Sequence, residues 1–107
     1  MEISVAGFFG NSPRRDLFFL RDFAQSVEGL GFRSLALPEH VVFFTSYESD
    51  YPYTEDGEPN WGPDTGIFDP LFCAQAAAHA TTTLRFITGV LILTQRPALL
   101  TAKEVLT

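Results

Sequence analysis

Residues 33–37, Arg-Ser-Leu-Ala-Leu, stop at Pro38, and Glu39 and His40 follow at once. A run this apolar and too short for a helix reads as a strand covered on both faces, as in a parallel sheet. Proline cannot donate to a ladder and ends the strand. Two ionisable side chains therefore arrive together at its C-terminal tip. That is the end at which parallel α/β folds build their ligand sites.

The flanking segments supply partners for this strand. Residues 3–9 are rich in β-branched and aromatic side chains and predict a first strand, followed by a Gly-Asn-Ser-Pro turn at 10–13. From Asp16 the period changes: Leu17, Leu20, Ala24 and Val27 recur at helical steps. Phe18, Phe19 and Phe23 add apolar surface on other sides of that helix, which predicts contact with a second helix or another chain. Gly31 is placed to end it in the left-handed conformation, with Phe32 folding back onto Val27. Asp69-Pro70 predicts a capped start for a second, alanine-rich helix running to about Ala80. Residues 84–93 predict a third strand interrupted by Gly89, 94–97 a turn, and 98–107 the opening of a third helix. Strand and helix alternate, so the expected class is α/β, with parallel strands joined by helical crossovers.

Charge and composition exclude several functions. The 107 residues suit a single domain, and a net charge of −6 would repel a phosphate backbone or an anionic membrane. No apolar run approaches the ~18 residues that span a bilayer. The N-terminus has no basic leader. A soluble cytoplasmic protein is expected, with no nucleic-acid or membrane partner. Cys73 is the single cysteine, which excludes an internal disulfide and a cysteine metal cluster. Asp56-Gly57-Glu58 lacks the alternating ligands of a calcium loop, so no metal is expected. Phosphate-loop, dinucleotide-fold, nucleophile-elbow and zinc-protease motifs are absent.

His40 at a strand tip can act as acid, base or donor near neutral pH, and Glu39 stands beside it. The alternative is that the two form a surface pair or a local cap. Gly89 marks either a close backbone approach by a ligand or a tight spot in sheet packing. His79, near a helix end, is expected to meet the helix dipole or solvent. Residues 41–66 combine proline and glycine with aromatic side chains and six carboxylates, without one lysine or arginine. They predict an irregular loop over the strand tip, either a lid or an ordinary surface excursion.

Residues 24–40, ending Leu37-Pro38-Glu39-His40, resemble the start of the bacterial luciferase-like monooxygenase superfamily. Asp69-Pro70-Leu71, residues 76–93 and Arg96-Pro97-Ala98-Leu99-Leu100-Thr101-Ala102-Lys103 continue the likeness in order and spacing. The Leu-Pro-Glu-His segment and the strand ending Thr88-Gly89-Val90 look most like the branch that uses coenzyme F-420. The resemblance implies a TIM (β/α)8 barrel binding F-420 or reduced FMN at its C-terminal mouth. It implies hydride transfer between the ring and a small organic substrate. Thr88, Gly89 and Val90 match a bulge that backs the ring, often through a non-proline cis peptide. His40, with Glu39, matches a catalytic position near the ring. On this reading Phe43, Phe44 and Trp61 shape the substrate pocket.

A complete barrel needs about 250 residues, and three strands cannot close. Residues 1–107 are therefore expected to form a partial luciferase-like domain with a lid-like loop at 41–66. Its bare edges would be met by the remainder of a larger barrel or by copies of itself. The competing expectation is a non-catalytic module that self-associates or binds a partner.

Overall fold

The computed structural model describes residues 2–7 and 16–107. The expected turn at 10–13, and the expected strand end at Phe8 and Phe9, lie outside the described residues. Strands β1 (Ser4–Ala6), β2 (Ser34–Leu37) and β3 (Arg85–Thr88) alternate with helices α1 (Leu17–Gly29), α2 (Pro70–His79) and α3 (Ala98–Leu106). The sheet has the order β1-β2-β3, and both pairings are parallel. The chain is therefore α/β, built from successive β/α units as its alternating pattern predicts.

Each helix boundary has a local cause. Asp16 caps α1 by accepting from the Phe19 N–H at 2.7 Å. At the other end Gly31 takes φ +81°. Its N–H donates to the Glu28 carbonyl at 2.9 Å, and the Phe32 N–H donates to Val27 at 3.2 Å. These two bonds make a Schellman motif, and they place Phe32 against the core. Asp69 caps α2, and Pro70 occupies the first turn, where a missing N–H costs nothing.

Helices α1 and α2 pack on each other and on β2. Leu20, Ala24 and Val27 of α1 meet Leu35 and Leu37 of β2 and Cys73 and Ala77 of α2 in one buried cluster. Ala24 and Ala77 are both fully buried, and their small side chains let the two helices approach closely. Burying each leucine is worth about 2 kcal/mol, whereas an exposed pair such as Arg21–Asp22 is worth less than 1. Apolar packing on β2 therefore dominates what holds the helices down.

The other face of the sheet is different. The registered rows Ser4–Ser34–Arg85 and Ala6–Ala36–Ile87 run across it. Ser4 and Ser34 share a 2.6 Å hydroxyl hydrogen bond, and Ile87 is 48% exposed. The expectation that β2 is covered on both faces thus holds fully only where Leu35 and Leu37 face the helices. On the opposite face Ser34 is buried and Ala36 is only half-buried.

The third strand is shorter than expected. The ladder ends at Thr88, residues 90–92 are outside it, and Leu93–Gln95 form a 3-10 turn. Apolar composition continues to Leu93, but β2 has already ended at Pro38. Beyond Gly89 there is no neighbouring backbone to pair with, and the Ile92 N–H turns instead to the Glu39 side chain. Among the described residues, no helix is long and apolar enough to cross a membrane.

Candidate functional site

The C-terminal tips of the strands form one rim. Leu37 stands in register with Thr88, and the Gly89 N–H donates to the Leu37 carbonyl at 2.8 Å. The Gly7 N–H donates in the same way to Ala36 at 3.1 Å. Pro38-Glu39-His40 and Gly89-Val90 therefore leave the sheet side by side. The Gly89–Val90 peptide bond is cis, at the position the resemblance points to. A Cβ placed on Gly89 would meet nothing within 4 Å, so the backbone there borders open space. Thr88 is half-buried as the last strand residue, and Val90 is 68% exposed.

Glu39 turns inward. Its side chain is 8% exposed, and it accepts from the Ile92 N–H and from Nη2 of Arg96. The same Arg96 nitrogen reaches Oδ2 of Asp69, while Nη1 lies 3.9 Å from Glu104 on α3. Asp69 meanwhile receives the Leu71 and Phe72 N–H groups on Oδ1 at 2.9 and 3.3 Å. Burial alone would raise the Asp69 pKa. The Arg96 guanidinium and the two helix N–H groups outweigh it and hold the carboxyl below its ordinary value. Hydrogen bonds to Asp69 and then Glu39 push Arg96 up. One guanidinium thus ties the tip of β2 to the start of α2 and to α3.

His40 turns outward. Its Nδ1 lies 3.3 Å from the Val42 carbonyl. A carbonyl only accepts, so Nδ1 carries the proton in the neutral ring and Nε2 presents its lone pair. The imidazole stacks on Phe43, with centroids 4.4 Å apart and planes 25° apart. Trp61 closes the group at 6.2 Å from His40 and 5.9 Å from Phe43, and Tyr51 meets Trp61 edge-on at 4.9 Å. Residues 41–66 contain no helix or strand, as expected, and two of their aromatic side chains, Phe43 and Trp61, fold back to His40 at the strand tip. A turn held by the Tyr51 N–H to the Gly57 carbonyl at 2.6 Å returns the chain toward Trp61. Between this loop and the tip lies an open cleft of about 370 Å³, lined by His40, Val41, Val42, Phe43, Pro63, Thr65, Gly66 and Ile67.

The structure brings His40, Phe43 and Trp61 together and sets Phe44 elsewhere. Phe44 is 61% exposed and packs edge-on against Tyr47. His79 is the exposed last residue of α2, as its position predicts. Among the described residues, no three His, Cys, Asp or Glu side chains are placed to hold a metal.

Sequence reasoning passed over two groups. Arg96 reads as part of a turn, yet it is the cation that neutralises Glu39 and Asp69. Its signal was an arginine following an apolar run in a chain with two carboxylates at element boundaries. Glu28 reads as a solvated helix residue. Its Oε1 accepts the N–H groups of Thr82, Thr83 and Leu84 at 2.8, 2.6 and 3.0 Å. No local pattern announces a contact across so many residues.

No family model matches the chain, and no solved structure matches it. It is similar to curated proteins described as uncharacterized, from Mycobacterium tuberculosis (strain ATCC 25618 / H37Rv) and Mycobacterium bovis (strain ATCC BAA-935 / AF2122/97). Each is 32% identical over 89 residues, which is 83% of this chain and 31% of the relative. The chain therefore spans about a third of the length of the curated relatives it matches.

Proposed function

We propose that residues 1–107 supply the first three β/α units of a TIM (β/α)8 barrel of the luciferase-like type. The assembled protein is then an F-420- or FMN-dependent oxidoreductase acting on a small organic substrate. The observation that carries this reading is the shared rim. His40, the aromatic cleft and the Gly89-Val90 backbone all lie at the C-terminal ends of adjacent parallel strands, where β/α barrels place their chemistry. The bare face carrying Ala36 and Ile87 is the one that would line the barrel interior.

The residues present fit a flat ring. The space beside Gly89 is open, and Val90 offers an exposed apolar surface next to it. Among the described residues Arg96, the cation at this rim, is committed to Glu39 and Asp69 and is not offered to an anionic tail. Thr88, Gly89 and Val90 would back the ring, and other parts of the assembled barrel would hold the tail. When bound, the ring supplies or accepts hydride. The chain's own part is to orient substrate and to move a proton. Nε2 of His40 accepts a proton from a substrate hydroxyl or returns one to it, while Phe43 and Trp61 hold the imidazole in place. Glu39 acts from behind, fixing the Pro38–His40 turn against Ile92 and Arg96.

A second reading is favoured by α3, whose Leu99 and Leu106 are 85% and 86% exposed, and by the edge of β3, which is unpaired among the described residues. On that reading the chain is a non-catalytic module that associates with itself or a partner.

Titration with reduced FMN and with F-420, read by chromophore absorbance and fluorescence, separates the two. The proposal expects one ring to bind. It expects Gly89→Val, whose Cβ meets no protein atom, to weaken that binding at least tenfold while leaving the circular dichroism unchanged. Failure of both rings to bind, together with a defined oligomer in solution, overturns the oxidoreductase reading in favour of the second.

A further inference from the structure

We propose that Trp61, Tyr51 and Tyr53 form an electron relay that carries an oxidising equivalent from the rim at His40 out to solvent. This goes beyond the reading above. It stands on ring contacts within the 41–66 loop and requires no bound coenzyme.

The first ground is an unbroken chain of rings. His40 and Phe43 line the cleft, and Trp61 lies against both, with centroids 6.2 and 5.9 Å away. Tyr51 meets Trp61 edge-on at 4.9 Å, and Tyr53 meets Tyr51 at 5.4 Å with planes 68° apart. These are contact distances for aromatic pairs. Indole and phenol give up one electron far more readily than a phenylalanine ring, and transfer between them slows exponentially with separation. The choice of residues therefore matters. The protein has 11 phenylalanines, three tyrosines and one tryptophan. Where a ring has only to pack, phenylalanine is what this chain uses most, yet its single tryptophan and two of its three tyrosines stand consecutively here. The third, Tyr47, packs on Phe44 instead.

The second ground is direction. Trp61 and Tyr51 are half-buried, whereas Tyr53 is 83% exposed, so the outer end of the chain is open to a soluble reductant. One turn holds both tyrosines in place. The Tyr51 N–H donates to the Gly57 carbonyl at 2.6 Å, and Oγ1 of Thr54 donates to the Glu58 carbonyl at 2.7 Å.

The oxidant is an oxygen-centred radical formed in the cleft, and it takes one electron from Trp61. Tyr51 replaces that electron, and Tyr53 replaces the electron of Tyr51. The phenolic proton of Tyr51 leaves and returns with its electron, and that of Tyr53 passes to water. Ascorbate or a thiol then returns one electron to Tyr53, and water returns the proton. The net result is one electron moved from the soluble reductant to the oxidant, with His40 and Trp61 left intact.

Pulse radiolysis tests the relay. It supplies the azide radical, which at neutral pH oxidises indole in preference to phenol, and Trp61 is the single indole. The indolyl absorption is expected to decay as phenoxyl absorption grows, at a rate independent of protein concentration. Tyr51→Phe keeps a ring in place and should slow that decay at least tenfold. Tyr53→Phe should leave the first step unchanged and slow repair of the phenoxyl radical by ascorbate at least fivefold, because half-buried Tyr51 then holds it. Tyr47→Phe should change neither step. Indolyl decay as fast in Tyr51→Phe as in the parent overturns the proposal. So does a rate that scales with protein concentration, equal slowing in Tyr47→Phe, or unchanged repair in Tyr53→Phe. Circular dichroism checks that each variant folds. Should Tyr51→Phe not fold, Tyr53→Phe, altered at an exposed side chain, still decides. No coenzyme is present in this test, so its outcome is independent of whether FMN or F-420 binds.

Discussion

Glu39 and Arg96, 57 residues apart in the chain, form an ion pair at the tip of β2 with side chains only 8% and 15% exposed. Asp69 shares the same guanidinium. The first carboxylate ends a strand, the second starts a helix, and the arginine precedes the third helix. Their meeting fixes where the rim stands relative to the helices.

Arg96→Met should destabilise the fold by about 3 kcal/mol, because it strands the Glu39 carboxylate, which is largely out of water, and removes the cation beside half-buried Asp69. Arg96→Lys should recover only part of that, since a single ammonium cannot serve Glu39, Asp69 and Glu104 with the geometry of a guanidinium. Urea unfolding followed by circular dichroism measures both. A Lys variant as stable as the parent would show that charge alone, and not the fork, is what matters.

Glu28 makes stability depend on acid. The backbone N–H groups of Thr83 and Thr82, with that of Leu84, lower its pKa from 4.5 to about 2. A carboxyl with a depressed folded-state value contributes its full stabilisation above 4.5. That contribution is lost as pH falls toward 2. Glu28→Gln should therefore have a lower urea midpoint than the parent at pH 7, and the two midpoints should converge near pH 2. Parallel curves across that range would mean that the Glu28 contact does not form.

Gly31 and Gly29 should respond oppositely to alanine. Gly31 has φ +81°, and a Cβ there meets no atom, so Gly31→Ala pays only the backbone penalty of about 1 kcal/mol. Gly29 is the last residue of α1 and also faces open space, so Gly29→Ala should gain up to about 1 kcal/mol from helix propensity. Thermal melts of the two variants should move in opposite directions.

Cys73 should be chemically silent in the folded protein. It is 3% exposed, and burial, assisted by the charge of Asp69, pushes its thiol up to about 11. Reaction with a thiol reagent at pH 8 should follow the unfolding curve in urea. Rapid labelling without urea would mean that α1 and α2 separate readily.

The sequence by itself determined the local grammar. The helical period from Leu17 to Val27, the Asp69-Pro70 start, Gly31 as a stop and the apolar strand broken at Pro38 are all short-range signals. Each acts through dihedral preference or through a hydrogen bond to a near neighbour. The α/β order follows from them, and so does the arrival of Glu39 and His40 at a strand tip. Only the tertiary structure decided what those two residues do next. Glu39 turns toward Ile92 and Arg96, and His40 turns toward Phe43 and Trp61. It also decided that β3 stops at Thr88, since a strand extends only as far as its neighbour's backbone, and β2 had already ended. The physical reason is the same in each case. A charge or an unpaired N–H takes whichever partner folding brings near, and Arg96, Thr83 and Trp61 are brought near from distant parts of the chain.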